Sequence, residues 1–98
     1  MDYKFIGWCR EGTSDKVWVV IQLSGDQWGG SYATVWGRRG RALQHKAIDH
    51  SSDWDMEKLI NSKTKKGYNR VEPDFLNEVY PEFAEDLEKI GIWAALKI

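Results

Sequence analysis

Between residues 16 and 23 the apolar side chains fall on alternate positions. Val17, Val19, Ile21 and Leu23 share one side, and Trp18, Val20 and Gln22 share the other. A period of two is that of an extended strand, and the first side is expected to face the core. Residues 31–37 continue the pattern, with Tyr32, Thr34 and Trp36 opposite Ala33 and Val35. The aromatic, β-favouring segment 3–8 predicts an earlier strand, and 41–48 predicts a weaker fourth. Residues 11–15 predict a turn, and the Gly-rich segment 24–30 predicts a hairpin loop longer than a tight turn. Arg39-Gly40-Arg41 is a further turn, in which Gly40 supplies a backbone shape that a Cβ would penalise.

From residue 52 the period lengthens. Ser52, with Asp55 three residues on, has the spacing of a helix N-cap and its capping partner. Met56, Leu59 and Ile60 form the stripe to be buried, with Trp54 at its edge. Lys63, Lys65 and Lys66 fill the last turn, where positive charge suits the helix dipole, and Gly67 stands where a left-handed residue ends a helix. Residues 68–71 read as a short extended segment able to add a strand. After Pro73, Phe75, Leu76, Val79, Phe83, Leu87 and Ile90 recur at spacings of three and four, the mark of an amphipathic helix that Pro81 splits or kinks and Gly91 ends. Residues 92–98 are apolar enough to require packing. The class is therefore α+β: a compact antiparallel sheet of about four to five strands, one main helix on it, and a C-terminal amphipathic helical extension. The division falls between residues 1–71 and 72–98, with the extension packed on the same domain or on a partner.

Ninety-eight residues make one domain. An apolar content of 42% and a charged content of 30% suit a soluble globular chain. The single cysteine, Cys9, excludes an intrachain disulfide and fits a reducing compartment. The opening Met1-Asp2-Tyr3-Lys4-Phe5 has neither a basic region nor a long apolar run, so neither a signal peptide nor a membrane span is expected, and a cytoplasmic location follows. A net charge of −1 argues at first against a nucleic-acid binder. Its distribution reverses that view. Residues 36–70 carry nine Lys or Arg against four acids, and residues 71–98 carry seven acids against two bases, so a basic patch and an acidic tail are separate features.

The chemistry-bearing residues cluster in the basic part. Trp36 at a strand end, beside Gly37, can offer an indole face to a base or sugar while the glycine lets a partner approach the backbone; equally, Trp36 can serve as core or edge cover. Arg38, Arg39 and Arg41 offer planar forks for phosphate, with Arg39 and Arg41 neighbours if the strand continues and Arg38 on the opposite side. Lys63, Lys65, Lys66, Tyr68 and Arg70 form a second group, for which helix-dipole complementarity is the alternative explanation of the lysines. Catalysis has little support. His45 and His50 lack the spacing of a triad, Cys9 with those histidines makes no zinc pattern, and Gly25, Gly29 and Gly30 are not followed by the Lys-Ser/Thr of a phosphate loop. No cofactor or metal is expected.

Three blocks in order, Ser14-Asp15-Lys16-Val17-Trp18, Trp36-Gly37-Arg38-Arg39-Gly40 and Lys63-Thr64-Lys65-Lys66-Gly67-Tyr68, resemble the WGR domain family over residues 3–70. The resemblance implies an antiparallel sheet with a helix packed on it and a non-enzymatic role. In eukaryotic poly(ADP-ribose) polymerases the WGR domain binds DNA ends and breaks, and short stand-alone bacterial proteins of this type also exist. Carried onto this chain, Trp36 packs on the terminal nucleotide or its sugar. Arg38 engages phosphate or a neighbouring domain, and Lys66, Gly67 and Tyr68 lie close to the same surface. This chain has no catalytic domain, and its acidic segment 72–98 lies outside the match. The expectation is a DNA-binding module for ends, nicks or other non-B features. The alternative is a protein–protein adaptor or homodimer that uses the WGR surface and residues 72–98.

Overall fold

Strands that are apolar on both sides need cover on both faces of their sheet, and the chain supplies it. The computed structural model describes residues 3–12, 14–39 and 41–89. In order they form β1 (Tyr3–Glu11), β2 (Ser14–Asp26), β3 (Gly29–Arg38), β4 (Gln44–Ser52), α1 (Asp53–Thr64), β5 (Asn69–Arg70), α2 (Pro73–Val79) and α3 (Phe83–Lys89). The sheet has five strands in the order β4-β3-β2-β1-β5, each antiparallel to its neighbour. The α+β class, the short strand after α1 and the C-terminal helices are all present.

On one face Ile6, Val17, Val19, Ile21, Ala33 and Val35 pack with Leu76, Tyr80, Phe83 and Leu87 of the C-terminal segment. On the other, Phe5, Trp18, Val20 and Tyr32 pack with Met56 and Ile60 of α1. The alternation predicted core on one side of β2, whereas Trp18 and Val20 on its other side are equally buried. The helices beyond residue 72 therefore complete the core of this sheet. Pro73 opens α2, and the backbone breaks around Pro81 before α3, as a ring without an amide donor requires. The Tyr80 hydroxyl donates to the Asp86 carboxylate across that break.

Four expectations need correction. The turn expected over 11–15 is shorter, because β1 and β2 pair Arg10 with Asp15 and Glu11 with Ser14. The β2–β3 connection is a two-residue turn, Gln27-Trp28, because both strands run on to pair Asp26 with Gly29. The Asp26 carboxylate accepts the Trp28 N–H at 2.9 Å, and Gln22 Nε2 donates to the Asp26 carbonyl at 2.9 Å. The fourth strand starts at Gln44 and runs to Ser52, later and longer than 41–48. Trp54 does not edge the buried stripe: it is 66% exposed, with Lys58 Nζ 3.6 Å above its ring. The cap itself is as expected, with Ser52 Oγ accepting the Asp55 N–H at 3.1 Å. Gly40, Ile90, Gly91 and residues 92–98 lie outside the described residues. Among those described, no helix is long and apolar enough to cross a membrane.

Candidate nucleic-acid interface

Antiparallel pairing places Trp36 of β3 directly beside Trp18 of β2, with Gln44 of β4 on its other side. All three project toward the α1 face, since alternation puts Trp36 on the side of Thr34 and Tyr32. The same pairing puts Arg38 beside Lys16, two residues further along and on the same face. An aromatic rung is thus followed by a cationic one.

The aromatic rung opens into a slot of about 220 Å³. Trp18 and Thr34, both buried, form its floor. Half-buried Trp36, Ile48, Leu59 and Tyr68 form its walls. Lys46 and Lys63 are its charged lining groups, and no carboxylate lines it among the described residues. The Thr34 hydroxyl donates to the Lys46 carbonyl at 3.3 Å, which uses its one proton and leaves its oxygen as an acceptor.

The end of α1 builds one wall. The Gly67 N–H donates to the Thr64 carbonyl at 3.1 Å and the Tyr68 N–H to the Lys63 carbonyl at 3.2 Å, the paired bonds of a Schellman ending. Gly67 sits at φ 104, a conformation that a Cβ penalises, and it turns the chain so that Tyr68 returns to the slot. Lys63 Nζ lies 5.6 Å from the centre of the Trp18 ring. Burial, reinforced by the nearby Lys66 charge, lowers the Lys63 pKa from the usual lysine value. An incoming anion would relieve both effects. Burial raises the Tyr68 pKa, with a further push from Cys9, so the phenol is neutral at pH 7.

The cationic rung lines a shallow depression of about 440 Å³ with Lys16, Arg38 and Arg41 on it. The Arg41 N–H donates to the Arg38 carbonyl at 3.0 Å, a turn that holds the two arginines together. Gly37 also lines this depression. However, its bare Cα side is directed at Leu43, whose Cδ2 would stand 3.2 Å from an added Cβ. At this glycine the close approach is by the chain's own loop.

Arg39 goes elsewhere. Its guanidinium pairs with Asp15 at 2.6 Å and donates to the Val79 carbonyl at the end of α2. Asp15 in turn accepts the Trp8 indole N–H at 2.7 Å. Alternation carries Arg39 to the side of Ala33 and Val35, opposite Arg38 as expected, whereas the turn beyond β3 brings Arg41 back to Arg38, so Arg38 and Arg41 are the neighbours and the expected pairing of Arg39 with Arg41 is corrected. Lys65 and Lys66 are exposed at the end of α1 and line neither hollow; Lys66 acts on the slot through its charge on Lys63.

The structure therefore gathers Trp36, Lys63 and Tyr68 in one slot and Arg38 and Arg41 one rung beyond. Trp18, Lys46 and Lys16 join them without having been singled out as site residues. The register of the β2–β3 hairpin is the signal that finds Trp18 and Lys16. Comparison with protein-family models, with curated proteins and with solved structures yields no match for this chain.

Proposed function

We propose that the chain is a non-enzymatic, WGR-like module that binds DNA ends, nicks or other non-B features through backbone contacts and stacking on Trp36. The observation that carries this is the succession, on one face, of an aromatic slot edged by lysines and a hollow edged by Lys16, Arg38 and Arg41. Base or sugar packs on indole at about 1–3 kcal/mol per base. Phosphates meet ammonium and guanidinium groups, and among the described residues no carboxylate lines either hollow. The acidic helices α2 and α3 pack on the other side of the sheet, so their charge does not cover this surface. Of the apolar stripe that an adaptor or homodimer would use, Leu76, Phe83 and Leu87 are buried against the chain's own strands and Val79 is half-buried there, while Phe75 is 38% exposed.

The test is fluorescence anisotropy with nicked, blunt and single-stranded DNA across a salt series. Binding weakens steeply with salt, with a slope of about −0.9 per phosphate neutralised on a duplex. Trp36→Ala and Arg38→Ala each lose affinity. Wild-type protein that binds none of these probes at low salt refutes the proposal.

A further inference from the structure

Resting on that DNA-binding reading, we infer that the slot accepts a single unpaired nucleotide, so that the favoured ligand is a single-stranded overhang rather than a fully paired end. The dimensions argue for it. At about 220 Å³ the slot is smaller than the ~300–1,000 Å³ of ordinary small-molecule sites. It admits one ring with its sugar, not a base pair. A base inside a duplex offers only its groove edges, because its faces are covered by stacked neighbours; entry into a walled slot requires it to be out of the stack.

The lining argues the same way. Trp36 and Tyr68 give ring faces, and Ile48 and Leu59 give apolar contact, an environment for a ring face rather than for a hydrated groove edge. The Thr34 hydroxyl proton is already given to the Lys46 carbonyl, so this hydroxyl offers a base only an acceptor, and the apolar lining selects ring shape more than base identity. The strand then has a direction to follow. One rung along β3 is two residues, roughly 6.8 Å. It leads from Trp36 to Arg38, where Lys16 and Arg41 receive the phosphates of the following nucleotides. Lys46 and Lys63 hold the phosphate of the inserted one.

The experiment uses wild-type protein and three labelled duplexes of one sequence: blunt, with a short single-stranded overhang, and with the same overhang built from abasic residues. The overhang is expected to bind about tenfold or more tightly than the other two, the size of one stacked base at about 1–3 kcal/mol. Tyr68→Ala is expected to erase the advantage of the overhang and Tyr68→Phe to keep it, since the ring face and not the hydroxyl is used. Equal binding of all three duplexes overturns the inference and leaves the DNA-binding proposal standing. No binding to any duplex overturns both.

Discussion

The two faces of this sheet are drawn from the same alternation of apolar residues, yet one is closed and the other is only half covered. On the closed face two short helices lie across the strands, and Leu76, Tyr80, Phe83 and Leu87 are at most 2% exposed. On the other face a single helix of 12 residues spans about 18 Å, whereas the 10 residues of β3 span about 33 Å. The helix cannot reach the far end of the sheet. Trp36 is left half-buried there, with Arg38 beyond it. A site arises where cover runs out, and the aromatic residues at that edge have cationic neighbours, whereas the aromatic residues of the closed face are packed with Leu76, Leu87 and the strands. The difference separates stability from binding, and substitutions on the two faces should divide accordingly.

The largest effect is expected from truncation after Val71, which strips the closed face. That chain should be unfolded or aggregated by circular dichroism and sedimentation; a folded, monomeric 1–71 would show that α2 and α3 are not core. Next is Leu87→Ala. It should lose about 2–5 kcal/mol in denaturant titration, the usual range for a buried leucine, while the folded fraction binds DNA as before. Trp36→Ala should do the reverse, with about tenfold weaker DNA binding and a smaller loss of stability.

The closed face and the ends of α1 were legible in the sequence because their signals are local. Ser52 and Gly67 mark the bounds of α1 by what their own backbones do, and Pro81 breaks the tail by lacking a donor. The site was legible only in part. Trp36, Tyr68 and Arg38 stand out by type, but Trp18 and Lys16 join them through cross-strand pairing. That pairing depends on where the hairpin turns, and reading 24–30 as a loop hid it. A register irregularity between Gln22 and Ser24 shifts the pairing further. A period of two places Arg39 opposite Arg38 but fails for Arg41, because the turn past the end of β3 returns that residue to Arg38. Trp54, expected at the edge of the buried stripe, is exposed, because the stripe that packs is Met56 and Ile60.

Smaller effects sharpen the comparison. Arg38→Ala should weaken binding and flatten its salt dependence by about one phosphate, or about 0.9 in slope, with little change in stability. Arg39→Ala, one residue on, should leave binding nearly intact and cost about 1 kcal/mol of stability, since its Asp15 pair is partly exposed and its other contact is the end of α2. Lys63 combines both roles. Its folded-state pKa lies below that of the unfolded chain, so unfolding takes up protons in the interval between the two values and stability rises with pH there. DNA binding runs the other way and is lost as pH climbs through the lowered value, because the neutral amine no longer attracts phosphate. At pH 7 Lys63→Met should therefore raise the melting temperature slightly while weakening binding.

The most direct test follows the indole N–H resonances of isotope-labelled protein as a single-stranded oligonucleotide is added. Trp36 and Trp18 line the slot, whereas Trp8, bonded to Asp15 and packed on Phe75, belongs to the closed face. Large, saturable shifts are expected at Trp36 and Trp18 with Trp8 unmoved. Shifts concentrated at Trp8 and the α2–α3 layer, or none at any indole at saturating concentrations, would contradict the proposed interface.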